Sequence, residues 1–188
     1  LSIIVAVAAI VVGTTFSYFS DVETSEGNTF SAGTLDLEVN DENPVTSALI
    51  EFSDIKPGDS GTKVIKMCNT GTIKGGIVMC IRNLKNYENG CVPPEGPPTP
   101  DNTCGEPGKG EGELGEYLNV TITWDGCPPH QETLNSWASG AWRCIDGLDL
   151  NPGKCGTCKI DWEVPATTGN IIQSDSATFD LEFTLTQE

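Results

Sequence analysis

From residue 34 onward, short runs of the chain alternate apolar and polar side chains with a period of two. Leu35, Leu37 and Val39 point one way while Thr34, Asp36 and Glu38 point the other, which predicts a half-buried β-strand. The same pattern recurs three times. Leu118, Val120, Ile122 and Trp124 form one face, and Ile160, Trp162 and Val164 another. Phe179, Leu181, Phe183 and Leu185 form the last, opposite Thr178, Asp180, Glu182 and Thr184. Apolar runs around Leu49 to Phe52, at 62–69 and at 73–84 add further strands, separated by turns at 40–44, Pro57-Gly58 and Asn69-Thr70-Gly71. The stretch 134–144 predicts at most a short helical turn. Several short one-sided strands with Pro/Gly turns describe an all-β protein, an antiparallel β-sandwich of the jelly-roll kind.

The first thirteen residues break this pattern. Leu1 to Gly13 carries no charge, and its only polar side chain is Ser2. As a helix it spans about 20 Å, short of the ~30 Å hydrocarbon core of a bilayer. Seven of the thirteen residues are β-branched (Ile3, Ile4, Val5, Val7, Ile10, Val11 and Val12), which favours an extended strand over a helix or a signal-peptide core. Its odd face (Leu1, Ile3, Val5, Val7, Ala9, Val11) and its even face (Ser2, Ile4, Ala6, Ala8, Ile10, Val12) are both apolar, as in a strand buried on both sides. The organisation that follows is a strip at 1–13, a linker at 14–28 and a β-domain at 29–188. Two Cys/Pro/Gly-rich insertions interrupt the domain at about 85–116 and 125–158, and both read as surface excursions.

Charge and cysteines narrow the setting. The 188 residues hold 27 Asp+Glu against 10 Lys+Arg, a net charge of -17, which excludes nucleic acid as a natural partner. The eight cysteines are Cys68, Cys80, Cys91, Cys104, Cys127, Cys144, Cys155 and Cys158. With an N-terminus that lacks Met and a basic stretch, and so reads as processed, they point to an oxidising extracellular compartment and to disulfides. Four bonds are expected, with roughly a hundred pairings open. Cys155-Gly-Thr-Cys158 has redox spacing, but a lone CxxC outside a βαβ unit reads as structural. Asn119-Val120-Thr121 is a glycosylation acceptor on the outward face of a strand. The single histidine, His130, lies in a Pro-rich loop, and nothing supplies the paired histidines and glutamate of a zinc protease. No nucleophile motif or phosphate loop occurs. No catalytic or metal-ligating residue and no cofactor is therefore assigned. Calcium is the one ion considered, at the acidic turns Asp21-Val22-Glu23, Asn40-Asp41-Glu42 and Asp146 to Asn151, none of which has EF-hand spacing.

Phe19-Ser20-Asp21 followed by Asn28-Thr29-Phe30-Ser31-Ala32-Gly33-Thr34-Leu35-Asp36-Leu37 resembles the opening of the TasA/camelysin group of secreted matrix proteins. Ile55-Lys56-Pro57-Gly58-Asp59 and Asn69-Thr70-Gly71 follow in that group's order, and the run Phe179 to Gln187 is similar to its final core strand. The resemblance covers about 14–84 and the last dozen residues, and leaves the cysteine-rich middle uncovered. It implies a jelly-roll subunit of extracellular fibres. In bacterial members and in archaeal bundling pilins, the N-terminal segment of one subunit completes the sheet of the next. Retention of the apolar strip looks more like the archaeal pilins.

An unpaired apolar strand is an aggregation hazard unless another sheet takes it in. Burying the six odd-face side chains at ~1.5–3 kcal/mol each amounts to about 10–15 kcal/mol before the cost of association. Such a head-to-tail contact does not close and generates a filament. The expected partner is the chain itself as a homopolymer, with no small-molecule substrate; the two insertions either decorate the outside or bridge neighbouring filaments into bundles. The alternatives are a pilin-like surface protein with a helical N-terminal stalk or membrane tether, and a camelysin-like metalloprotease.

Overall fold

Strand register organises the molecule around one long strand. The structure is a computed structural model that describes residues 32–46, 49–50, 54–90, 108–139 and 144–187. The chain divides into two compact units, Leu1–Ala32 and Gly33–Glu188, and every element named below belongs to the second. The strip Leu1–Gly13 and the whole of the expected linker at 14–28 lie outside the described residues. Among those described, the strands are β1 (Leu37–Val39), β2 (Ser60–Asn69), β3 (Gly75–Glu88), β4 (Gly108–Lys109), β5 (Asn119–Trp124), β6 (His130–Thr133), β7 (Cys144–Leu150), β8 (Cys155–Glu163) and β9 (Ser176–Thr186). Two short helices, α1 (Leu114–Tyr117) and α2 (Leu134–Ala138), complete them.

All the pairings are antiparallel and form two sheets, as the alternation predicts. One runs β1-β2-β8-β5-β6. The other is built on the fourteen residues of β3. β7 pairs with β3 from Gly75↔Leu150 to Cys80↔Cys144, and β4 pairs at Tyr87 and Glu88. β9 pairs with β3 from Gly76↔Thr186 to Tyr87↔Ser176. Since Gly76 and Cys80 pair with both β7 and β9, those two strands flank β3 on opposite edges. β9 is therefore an edge strand among the described residues.

One hydrophobic core joins the two sheets. Ile65 and Met67 of β2, Ile122 of β5, Cys158 and Ile160 of β8, and Ile77, Met79 and Ile81 of β3 are all buried in it. The faces of β5 and β8 are the ones the alternation assigns: Val120, Ile122 and Trp124 go inward, and Asn119 and Thr121 stay half-exposed. The segment 125–158 differs from its expectation as a surface excursion. It supplies a strand to each sheet, and α2 places Leu134 (0 % exposed) and Trp137 (1 %) in the core. Thr133 caps α2 by accepting from the Ser136 N–H at 3.2 Å. The Trp137 indole donates to the Val120 carbonyl at 2.8 Å, so this large ring is buried without losing a hydrogen bond. The helical turn expected in 134–144 is thus present, and it is structural.

Candidate functional site: an apolar groove beside the last strand

β9 shows the full alternation of a buried strand but is not buried like one. Phe179, Leu181, Phe183 and Leu185 pack against the core while remaining half-exposed. Their neighbours on the paired strand, Ile77, Met79 and Ile81, are 1–2 % exposed. The difference lies at the side of the sandwich where β9 and β1 are both edges. There a cleft of about 500 Å³ opens, lined by Leu37 and Val39 of β1, by Leu49 and Ile50, and by Phe179, Leu181 and Phe183. A second opening of about 550 Å³ follows toward the start of β9, reaching Ile55, Leu118, Leu134, Ser174 and Asp175. A fully apolar void of about 40 Å³ lies in the interior between Ile81, Val120, Ile160 and Leu181. Ile50 and Phe179 line all three spaces, so they form one groove along the inner face of β9. Carboxylates mark its rim. Glu42 and Asp180 border the first cleft, and Asp180 Oδ2 accepts from Asn83 Nδ2 at 2.6 Å.

The turn motifs read from the sequence hold this edge in place. Asn69 is completely buried. Its amide donates to the carbonyls of Ile73 (2.8 Å) and Leu150 (2.9 Å), and its Oδ1 accepts from the Gly71 N–H (3.0 Å). That one side chain therefore ties the β2–β3 turn to β7. The same turn lies along the segment leading into β1. Thr70 N donates to Asp36 O at 2.9 Å, Thr72 N to Thr34 O at 2.8 Å, and Thr70 Oγ1 to Asp36 Oδ2 at 2.9 Å. A Cβ at Gly71 would stand 2.2 Å from the Thr34 carbonyl oxygen, so glycine is required by close backbone approach. The Ile55–Asp59 motif is a turn closed by Asp59 N donating to Lys56 O. Its Gly58 has φ +90° and donates to Val164 O at 2.8 Å.

The cysteines depart from the four-disulfide expectation. Cys68 and Cys155 are register partners on β2 and β8 and form a disulfide spanning 87 residues. Cys80 is disulfide-bonded as well. Cys127 and Cys158 are free thiols, the first exposed and the second buried. Residues three apart on β8 face opposite sides, so Cys155 meets Cys68 while Cys158 is turned into the core. Burial pushes the Cys158 thiol up to about 12, with Asp125 adding to the shift, so it behaves as a small apolar side chain. Cys91 and Cys104 lie outside the described residues, as do the strip residues Leu1, Ile3, Val5, Val7, Ala9 and Val11. Cys144 opens β7 opposite Cys80.

His130 opens β6, with its ring 5.1 Å from that of Trp137 in an edge-on contact and its Nε2 3.4 Å from Glu132 Oε1. Two of the acidic turns weighed for calcium hold ion pairs, and the third, Asp21-Val22-Glu23, lies outside the described residues. Asp41 meets Lys66 Nζ at 2.7 Å, and Asp149 meets Lys74 Nζ at 2.8 Å. The groove itself was not legible as a site, because the alternation of a strand does not tell whether it lies at the edge or in the middle of its sheet.

Among curated proteins no match is found. A solved structure described as "AvmM Catalyzes Macrocyclization in Alchivemycin A Biosynthesis" is similar over 81 % of this chain and 87 % of that one. The identity is 9 % and the TM-score 0.33, too low to carry an argument. The family model described as camelysin metallo-endopeptidase matches residues 1–86, a span that includes the β1 segment, both turn motifs and most of β3. This match over the first 86 residues bears out the resemblance to the TasA/camelysin group.

Proposed function

We propose that this chain is a structural subunit of an extracellular filament. Subunits join head to tail, and the strip Leu1–Gly13 of one copy lies along β9 of the next as a donor strand. The observation that carries this reading is the groove: a full apolar face on β9 that its own sandwich covers only halfway. The strip has the matching chemistry, with two apolar faces and no charge. It also has the matching length. Thirteen extended residues reach about 43 Å and the eleven of β9 about 36 Å. Backbone hydrogen bonds to the outer edge of β9 provide affinity, and the odd face of the strip sets the register by filling the groove. In this reading the sandwich is a jelly roll, the protein is secreted, and it is a scaffold and not an enzyme.

Deleting Leu1–Gly13 tests the proposal by electron microscopy. The full chain forms filaments and the truncated chain stays monomeric; normal filaments from the truncated chain overturn it. A camelysin-like metalloprotease is the competing reading, supported by the description of the matching family. Chelator-sensitive hydrolysis of casein by the purified chain would establish it.

A further inference from the structure

At the far end of the groove, three carboxylates from separate parts of the chain converge. Glu88 ends β3, Glu113 immediately precedes α1, and Asp175 immediately precedes β9. One oxygen from each lies within 4.8 Å of the others. Close backbone packing brings the segments together: a Cβ at Gly112 would stand 2.5 Å from the Tyr87 carbonyl oxygen, so only glycine lets Glu113 approach Glu88.

The carboxylates of Glu88 and Asp175 are only half used. Glu88 is 2 % exposed. Its Oε1 accepts from the Gly90 N–H at 2.6 Å and from the Ser174 hydroxyl at 3.3 Å, while its Oε2 is buried without a hydrogen-bond partner. Asp175 Oδ2 accepts from the Glu113 N–H at 2.6 Å and the Leu114 N–H at 2.9 Å, while its Oδ1 is likewise buried and unpartnered. Among the described residues no lysine or arginine forms an ion pair with Glu88 or Asp175. Buried negative charge without a counter-charge is unfavourable. Accordingly, burial raises the Asp175 carboxyl to about 7, and the charges of Glu113 and Glu88 contribute to the shift.

We propose that Glu88, Glu113 and Asp175 form a calcium site. The donors are all oxygen, which suits a hard cation and not zinc. Calcium, at 2.3–2.6 Å from each ligand, bridges oxygens up to about 5 Å apart. Magnesium demands near-ideal octahedral geometry at about 2.1 Å and gives up its waters reluctantly. The three oxygens lie within 4.8 Å of one another, a spacing that calcium can span. The ion would bind the end of β3, the entry to α1 and the start of β9 into one unit. The site rests on its own geometry and not on the filament reading.

The test uses the full chain, stripped with a chelator and exchanged into calcium-free buffer. Calorimetric titration with calcium chloride is expected to show binding, and calcium is expected to raise the thermal midpoint by several degrees, with magnesium much weaker. Glu88→Gln keeps the shape of the side chain and removes a charge, so it is expected to stay folded and to lose the calcium-dependent shift. Asp175→Asn, which retains an oxygen acceptor for the two backbone N–H groups, is expected to do the same. Absence of a calcium shift in the unaltered chain overturns the site. So does calcium binding by both variants at the unaltered affinity, or a preference for magnesium.

Discussion

If the groove takes a donor strand as proposed, Phe183→Ala separates what it contributes to the subunit from what it contributes to assembly. Phe183 sits on the inner face of β9, half-exposed, and lines the cleft shared with β1. Complete burial of a phenylalanine is worth ~1.5–3 kcal/mol, and at most about a third of Phe183 is exposed, so up to ~1 kcal/mol is still to be gained when a strand fills the groove. The variant is therefore expected to raise the critical concentration for filament assembly by up to about fivefold, at 1.4 kcal/mol per factor of ten. Within the isolated subunit it should cost about 1–2 kcal/mol, below the 3–5 typical of a fully buried ring. Sedimentation across a dilution series gives the first quantity, and denaturant unfolding of the strip-deleted chain gives the second. Thr184→Ala, on the exposed outer face of the same strand, is the control and should change neither. A critical concentration unaltered by Phe183→Ala would refute the assignment of this face to a neighbour. A loss of 3–5 kcal/mol in the isolated subunit would show that the groove is already filled there.

Two further outcomes concern the body of the subunit. Cys68 and Cys155 close a loop of 87 residues, so replacing both with alanine is expected to lower stability by about 4–5 kcal/mol, measured by guanidinium unfolding; a loss under about 1 kcal/mol would contradict the loop-entropy account. Asp175 has its folded pKa raised to about 7 from an unfolded value near ~4, so the folded state retains a proton that the unfolded state has lost between those values. Its contribution is present below about pH 4 and lost as pH rises through about 7, so in calcium-free buffer Asp175→Asn should flatten the decline of the thermal midpoint over that window, and an unchanged profile would count against it.

The parts of the fold legible in the sequence were those where one face is buried and the other wet. β5, β8 and β9 alternate because each has such a pair of faces, and their inward residues are the ones the pattern names. β3 extends to Glu88, past the point where its sequence turns polar. Asn83, Lys85 and Asn86 are strand residues beside an irregularity between Arg82 and Lys85, where alternation is locally broken. The segment 125–158 read as surface because cysteine, proline and glycine dominate its composition. Its contribution to the core nonetheless rests on a few large side chains, chiefly Leu134, Trp137 and Leu150. The three carboxylates at positions 88, 113 and 175 were illegible as a group. No spacing rule links residues that only strand register and the Gly112 contact bring together.

The register of β9 bears on mechanical strength. Among the described residues the strand pairing of β9 is with β3 alone, in a ladder running from Gly76↔Thr186 to Tyr87↔Ser176. A pull along the axis of β9 loads those backbone hydrogen bonds in shear, so they must fail together. A pull across the axis would peel them one at a time at much lower force. A strand laid along the free edge of β9 would transmit its tension in the first of these directions.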